Sequence, residues 1–82
     1  MNKYTKWVEL PLSSIKPGES VIVTGINGNQ ELTKHLLNIG VAPGNQIKVI
    51  SGAKNYPFVL DFAGTKVGIT WHVSRKIMVK KI

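Results

Sequence analysis

The sequence predicts an all-β fold, a small β-barrel that carries one short α-helix between its first two strands. Short runs rich in β-branched residues recur along the chain, and glycine or proline turns separate them. Only one segment has the 3.6-residue apolar period of a helix. The 82 residues have room for one hydrophobic core. Five short strands with one helix suit a partly closed barrel, because closure removes most exposed sheet edges.

The first strand and the helix follow one another along the chain. The strand is predicted over residues 19–26, directly after a proline-glycine turn pair. The helix is predicted over residues 30–39, with Asn29 as its N-cap and Gly40 as the left-handed residue that ends it. An apolar stripe at helical spacing gives this helix a face for the core: Leu32, Leu36 and Ile39.

Four further strands are predicted after the helix, over residues 46–50, 57–63, 65–70 and 76–82. The segments 57–63 and 65–70 form a hairpin with its turn at Gly64-Thr65. In the first of these segments the larger apolar side chains alternate, which places them on one face: Phe58, Leu60 and Phe62. Residues 71–76 interrupt the β pattern. A ferredoxin-like fold would need a second long helix, and the sequence contains none.

A single domain is predicted over residues 7–82, preceded by a flexible N-terminal arm over residues 1–6, which are polar and lack periodicity. Cysteine is absent, so no disulfide or cysteine-based zinc site supports the fold. The longest purely aliphatic run is Val21-Ile22-Val23, far short of the ~20 residues of a membrane-spanning helix. Because no signal-peptide core follows the first lysines either, the expected compartment is the cytoplasm.

Net charge indicates which partners suit the chain. Eleven lysines and arginines against four acidic residues give +7. A nucleic acid, an anionic membrane face or an acidic protein surface would all suit this charge, which also serves solubility alone. The basic residues are scattered, with a partial cluster only at Arg75, Lys76, Lys80 and Lys81. A nucleic-acid-binding small basic β-barrel is therefore kept as the alternative function.

Catalytic and cofactor-binding patterns are missing from the sequence. The segment Gly25-Ile26-Asn27-Gly28 does not match a phosphate-binding loop. The two histidines, His35 and His72, lack the spacing that would place several metal ligands on one face. A nucleophile would also need a neighbouring base and an orienting group. The sequence thus predicts a protein that is not an enzyme, with no catalytic residue, no cofactor and no metal site.

Leu37, Tyr56 and Trp71 are the candidate partner-binding residues. Leu37 lies off the apolar stripe of the helix, so it is either buried by a second element or exposed as a contact residue. Tyr56 and Trp71 fall between predicted strands, and a large apolar face with a polar atom suits an interface. Small barrels of this kind often bind extended peptides in aromatic-lined grooves. For Trp71, packing over an open end of the barrel is the competing interpretation.

Two motifs stand out in the sequence. The first is Leu12-Ser13-Ser14-Ile15-Lys16-Pro17-Gly18-Glu19. The second is Leu36-Leu37-Asn38-Ile39-Gly40-Val41-Ala42-Pro43-Gly44, followed by the alternating apolar residues Ile47 and Val49. Together they resemble the FeoA family. The similarity covers roughly residues 10–82 and depends on the order and spacing of all the elements. The chain departs from the family pattern at Trp71 and His72, where relatives are usually rich in charged residues.

This resemblance implies an SH3-like β-barrel that acts as an accessory to FeoB, the membrane ferrous-iron transporter with a cytosolic G-protein domain. It implies protein–protein contact with the cytosolic part of that transporter, no small-molecule substrate, and membrane association only through the partner. At the level of the family it also implies transition-metal-ion binding. The same fold occurs as a terminal domain of iron-dependent repressors. Whether the chain forms a homo-oligomer is left open.

Overall fold

Six antiparallel strands pair into one sheet in the computed structural model, which describes residues 8–82. In chain order they are β1 (Leu10–Pro11), β2 (Ser20–Ile26), β3 (Gln46–Ser51), β4 (Phe58–Phe62), β5 (Thr65–Ile69) and β6 (Ile77–Lys81). Their order in the sheet is β1-β6-β2-β3-β4-β5, so β1 and β5 are its two end strands. The helices are α1 (Gln30–Asn38), α2 (Trp71–Ser74) and a 3₁₀ turn (Leu12–Ser14).

The predicted all-β fold is confirmed, and every predicted strand and the helix agree with the observed bounds to within one residue. The prediction that the helix lies between the first two strands is wrong, because the short strand β1 precedes β2 and places α1 between the second and third strands. The sheet is also not closed into a barrel, since β1 and β5 do not pair with each other. The predicted arm over residues 1–6, and Trp7, lie outside the described residues.

The hairpin turn between β4 and β5 lies one residue earlier than predicted. Phe62 pairs with Thr65, so the turn residues are Ala63 and Gly64. Both have a positive φ, 49° and 95°, as the tight two-residue type I′ turn requires. The Asp61 side chain accepts a hydrogen bond of 2.8 Å from the Gly64 N–H, which fixes the turn.

Alternate strand residues point into one hydrophobic core. The buried apolar side chains are Leu12, Ile15, Val21, Val23, Leu36, Val41, Ile47, Val49, Phe58, Leu60, Ile69, Ile77 and Val79. Each fully buried aliphatic or aromatic side chain of this size stabilises the fold by about 1.5–3 kcal/mol relative to an exposed one. Because the sequence has no cysteine, this packing replaces the disulfides that many domains of this size use.

Helix α1 is capped at both ends by the residues that the sequence indicated. The Asn29 side chain accepts a 2.8 Å hydrogen bond from the Leu32 N–H. At the other end Gly40 has a φ of 100°, and the Val41 N–H donates to the Leu36 carbonyl at 2.8 Å. This Schellman geometry returns the chain to the core, where Leu36 and Val41 are both buried.

The turn before β2 is held by a half-buried carboxylate. Glu19 accepts a 2.9 Å hydrogen bond from the backbone N–H of Lys16 and lies 3.2 Å from the ammonium group of Lys81 on β6. The backbone hydrogen bond, followed by the contact with Lys81, lowers the pKa of Glu19 below its usual value. The carboxylate form thus links the turn to the end of β6.

Replacing Leu36 by alanine is expected to lower the free energy of unfolding by about 2–4 kcal/mol, because a fully buried side chain is removed and leaves a cavity. Urea unfolding followed by circular dichroism measures this change. The matched control is Lys34→Ala, on an exposed position of the same helix, which should stay within about 0.5 kcal/mol of the unaltered chain. Equal midpoints for the two variants would show that α1 does not pack through Leu36.

Replacing Glu19 by glutamine is expected to reduce the loss of stability in acid. A carboxyl group whose pKa is lowered by folding stabilises the protein above its unfolded pKa, about 4.3, and loses this contribution as the pH falls through the folded value. Urea midpoints of both chains at a series of pH values between about 7 and 2 test this. Their difference should be largest at neutral pH and shrink in acid. A constant difference would contradict the proposed linkage.

Candidate partner-binding surface

Tyr56 lies in the loop between β3 and β4 and is the most exposed large apolar side chain among residues 8–82, at 67%. The loop reverses in a turn, in which the Tyr56 N–H donates a 2.9 Å hydrogen bond to the Ala53 carbonyl. Asn55, the third residue of this turn, has a φ of 67°, a conformation that asparagine tolerates better than most residues. Tyr56 therefore projects from a defined turn.

The two ends of this loop are fixed by the core. Phe58, directly after Pro57, is the largest fully buried side chain among residues 8–82. Its ring lies against Gly52 at the other end of the loop, so closely that a Cβ on Gly52 would be 2.5 Å from the ring. Only glycine fits there without displacing the ring. The packing of Gly52 on Phe58 thus sets where the loop leaves and re-enters the sheet.

Trp71 is the first residue of α2, and one residue, Thr70, separates it from the end of β5. The Thr70 side chain caps this helix by accepting a 3.2 Å hydrogen bond from the Val73 N–H. The Ser74 hydroxyl donates a 2.6 Å hydrogen bond to the Trp71 carbonyl. The indole ring is half-buried and packs against the core. The competing interpretation of Trp71, that its ring packs over the core, therefore applies to the buried part of the ring.

The exposed part of Trp71 carries polar and cationic neighbours. The Arg75 guanidinium lies 5.0 Å from the centre of the indole ring, within the range of a cation–π contact. The His72 ring lies 5.2 Å from it on a tilted plane. Arg75 is four residues after Trp71, so the short helix and its C-cap place the guanidinium and the indole ring on the same surface.

A groove of about 230 Å³ joins Tyr56 to Trp71. Its lining residues are Asn55, Tyr56, Pro57, Thr70, Trp71 and His72. A second groove shares Tyr56 and Pro57 with the first, and its other lining residues are Ser51, Gly52, Ala53 and Val59. We call the two grooves together the Tyr56–Trp71 surface. Its composition, two aromatic rings with polar atoms and a proline, suits an extended peptide.

The structure brings two of the three candidate residues together and leaves Leu37 apart. Leu37 lies on α1, is 44% exposed, and lines neither groove. Of the two alternatives for Leu37, exposure is thus the one observed. Tyr56, in the β3–β4 loop, and Trp71, at the start of α2, are 15 residues apart in sequence and line one groove because β4 pairs with β5.

Sequence reasoning missed the supporting residues of this surface. Thr70, Arg75 and α2 were not predicted, because a helix of four residues is too short to show a periodic pattern. The sequence nevertheless contains two signals for these residues. Threonine immediately before the helix is a preferred N-cap, and a Trp-x₃-Arg spacing places both side chains on one helical face.

Among residues 8–82, no group of three His, Asp or Glu side chains lies close enough together to hold a metal ion. The ring contacts at the Tyr56–Trp71 surface all involve Trp71, which contacts the His72 ring and the Arg75 guanidinium. No helix in the described part of the chain is long and apolar enough to cross a membrane.

Comparison with known proteins identifies the family. The family model described as "FeoA domain" matches residues 10–81. No curated protein sequence matches the chain. A crystal structure of an iron uptake regulatory protein, FeoA, is similar with a TM-score of 0.85 and 28% identity, covering 92% of this chain and 100% of that one.

Two more solved structures share the fold at lower identity. A FeoA-like protein from Clostridium acetobutylicum has a TM-score of 0.79 and 19% identity, covering 90% of this chain and 87% of its own. A manganese-dependent transcriptional repressor has a TM-score of 0.81 and 13% identity, and the similar part is 90% of this chain but 42% of the repressor. These likenesses establish the SH3-like fold. Together with the match over residues 10–81, they show that the chain belongs to the FeoA family.

Proposed function

We propose that this chain is a cytoplasmic accessory protein of ferrous iron transport, which binds the cytosolic part of a FeoB-type membrane transporter and modulates it by protein–protein contact. Membership of the FeoA family supports the transport context. The relative described as an iron uptake regulatory protein supports a regulatory role. In this role the chain acts without catalysing a reaction and without a cofactor of its own.

One observation carries the binding role, namely an exposed tyrosine fixed beside a half-buried tryptophan. Interfaces depend on a few large aromatic or arginine side chains that become fully desolvated on binding. Tyr56 is exposed at the tip of a turn whose ends are anchored in the core. Trp71 lines the same groove at the start of a capped helix, and the Arg75 guanidinium lies against its ring. Because these groups are already ordered, little conformational entropy is lost when a partner covers them.

Leu37 adds a separate apolar contact to this proposal. It is exposed on α1, where an apolar side chain gains from being covered by a partner. Because Leu37 lines neither groove, a partner that contacts both Leu37 and the Tyr56–Trp71 surface has to extend beyond the two grooves. We rank Tyr56 and Trp71 ahead of Leu37, since they form a groove and Leu37 does not.

Replacing Tyr56 by alanine is expected to weaken binding to the isolated cytosolic portion of a cognate FeoB-type transporter by about tenfold or more, because a central aromatic side chain is lost. Calorimetric titration measures the affinity. Tyr56 is preferred to Trp71 for this test, because the indole ring also packs against the core. The control, Lys34→Ala on exposed α1, should leave the affinity within about twofold.

Salt dependence separates this role from nucleic-acid binding. Four phosphate contacts would weaken oligonucleotide binding by roughly two orders of magnitude between 50 and 200 mM salt, whereas a contact centred on apolar groups changes far less. The same titration with mixed-sequence single-stranded oligonucleotides supplies the comparison. Tight, salt-steep oligonucleotide binding without transporter binding would overturn the proposed function.

A further inference from the structure

Strand β5 leaves one edge of the sheet without a partner strand among the described residues. It pairs with β4 through a two-residue turn, so Phe62 and Thr65 form the hydrogen-bonded pair that closes the hairpin. In an antiparallel ladder, bonded and non-bonded pairs then alternate. The backbone N–H and C=O groups of Lys66 and Gly68 consequently point away from β4, toward the free edge.

The face of β5 is sterically open at Gly68. A Cβ built on this residue would meet no atom within 4 Å. Glycine within a strand commonly marks a place where another backbone approaches closely. Lys66 and Gly68 are both exposed, while Ile69 is buried and anchors the strand in the core. The edge therefore combines accessible backbone groups with a fixed strand.

Two positive charges lie on or shortly after β5, namely Lys66 on the strand itself and Arg75 beside the Trp71 ring. Asp61 on β4 pairs in register with Lys66, and the chain as a whole carries a net charge of +7. A second copy of the chain carries the same charge of +7 and is repelled. An acidic segment is attracted, and it meets Lys66 on β5 and Arg75 beside Trp71. The charge thus favours an acidic partner over self-association.

We infer that β5 accepts an extended acidic segment of the protein partner as an added strand, bonded to the backbone groups of Lys66 and Gly68. The groove between Tyr56 and Trp71 begins at Thr70, the residue after β5 ends, so it receives an apolar side chain of the same segment. Strand addition gives affinity through the main chain, and the groove gives specificity. This inference rests on the proposed function and names the chemistry of the partner's segment.

Amide hydrogen exchange measured by NMR tests the inference on the unaltered chain. The Lys66 and Gly68 amides are expected to exchange rapidly in the free chain and at least about tenfold more slowly in complex with the transporter's cytosolic portion, because each gains a hydrogen bond. Gly28, an exposed turn residue elsewhere in the chain, provides the control amide and should change less.

Two pairs of variants test the same edge by affinity. Gly68→Pro removes an outward N–H without removing a bond to β4, and should weaken binding about tenfold or more, while Gly68→Ala keeps the N–H and should weaken binding much less. Lys66→Glu should weaken binding more than Lys34→Glu, which makes the same charge change on α1. If urea unfolding shows that Gly68→Pro does not fold, the exchange rates of the unaltered chain decide the question.

The outcomes separate this inference from the proposed function. Transporter binding with unchanged exchange at Lys66 and Gly68 overturns the strand addition and leaves the proposed function standing. No transporter binding overturns both. Slow exchange of these amides in the dilute free chain would mean that the chain covers its own edge. If exchange slows further as the chain concentration rises, a second copy of the chain occupies the edge. Either result overturns the proposal that an acidic segment of the partner binds there.

Discussion

The burial of Phe58 is the constraint on which the Tyr56–Trp71 surface depends. The ring is the largest fully buried side chain, it pairs in register with Ile69 on β5, and it packs against Gly52. Gly52 begins the loop that carries Tyr56, and Ile69 ends the strand that leads to Trp71. One core residue thus fixes both halves of the exposed surface. An apolar ring held in this way keeps the exposed aromatic groups in place through core packing.

The arrangement also explains how a small basic domain can offer a surface for a partner and keep a stable core. The interior is filled by alternate residues of β2 to β6, closed by residues of the 3₁₀ turn and α1. The groups proposed for binding lie in the β3–β4 loop, on β5 and at the start of α2, outside that interior. Changes of side chain at Tyr56 or Lys66 therefore act on binding more than on folding, since both are exposed.

Much of the fold could be predicted from the sequence, because its strands alternate with period two and its helix has capping residues at both ends. The short elements could not be predicted from the sequence. Strand β1 has two residues and α2 has four, too few for a periodic pattern. The openness of the sheet depends on which strands pair, which a single sequence does not specify. Tyr56 and Trp71 could be selected by residue type, but their meeting in one groove depends on the pairing of β4 with β5.

The most direct test of this account is the urea unfolding midpoint of Gly52→Ala, compared with that of Gly68→Ala. The same methyl group is added in both, against the Phe58 ring in one and into open space in the other. We expect Gly52→Ala to lose about 1–3 kcal/mol of stability through overpacking. Gly68→Ala should be unchanged or gain up to about 1 kcal/mol, because glycine is unfavourable within a strand. Equal midpoints would contradict the claim that the packing of Gly52 on Phe58 fixes the loop that carries Tyr56.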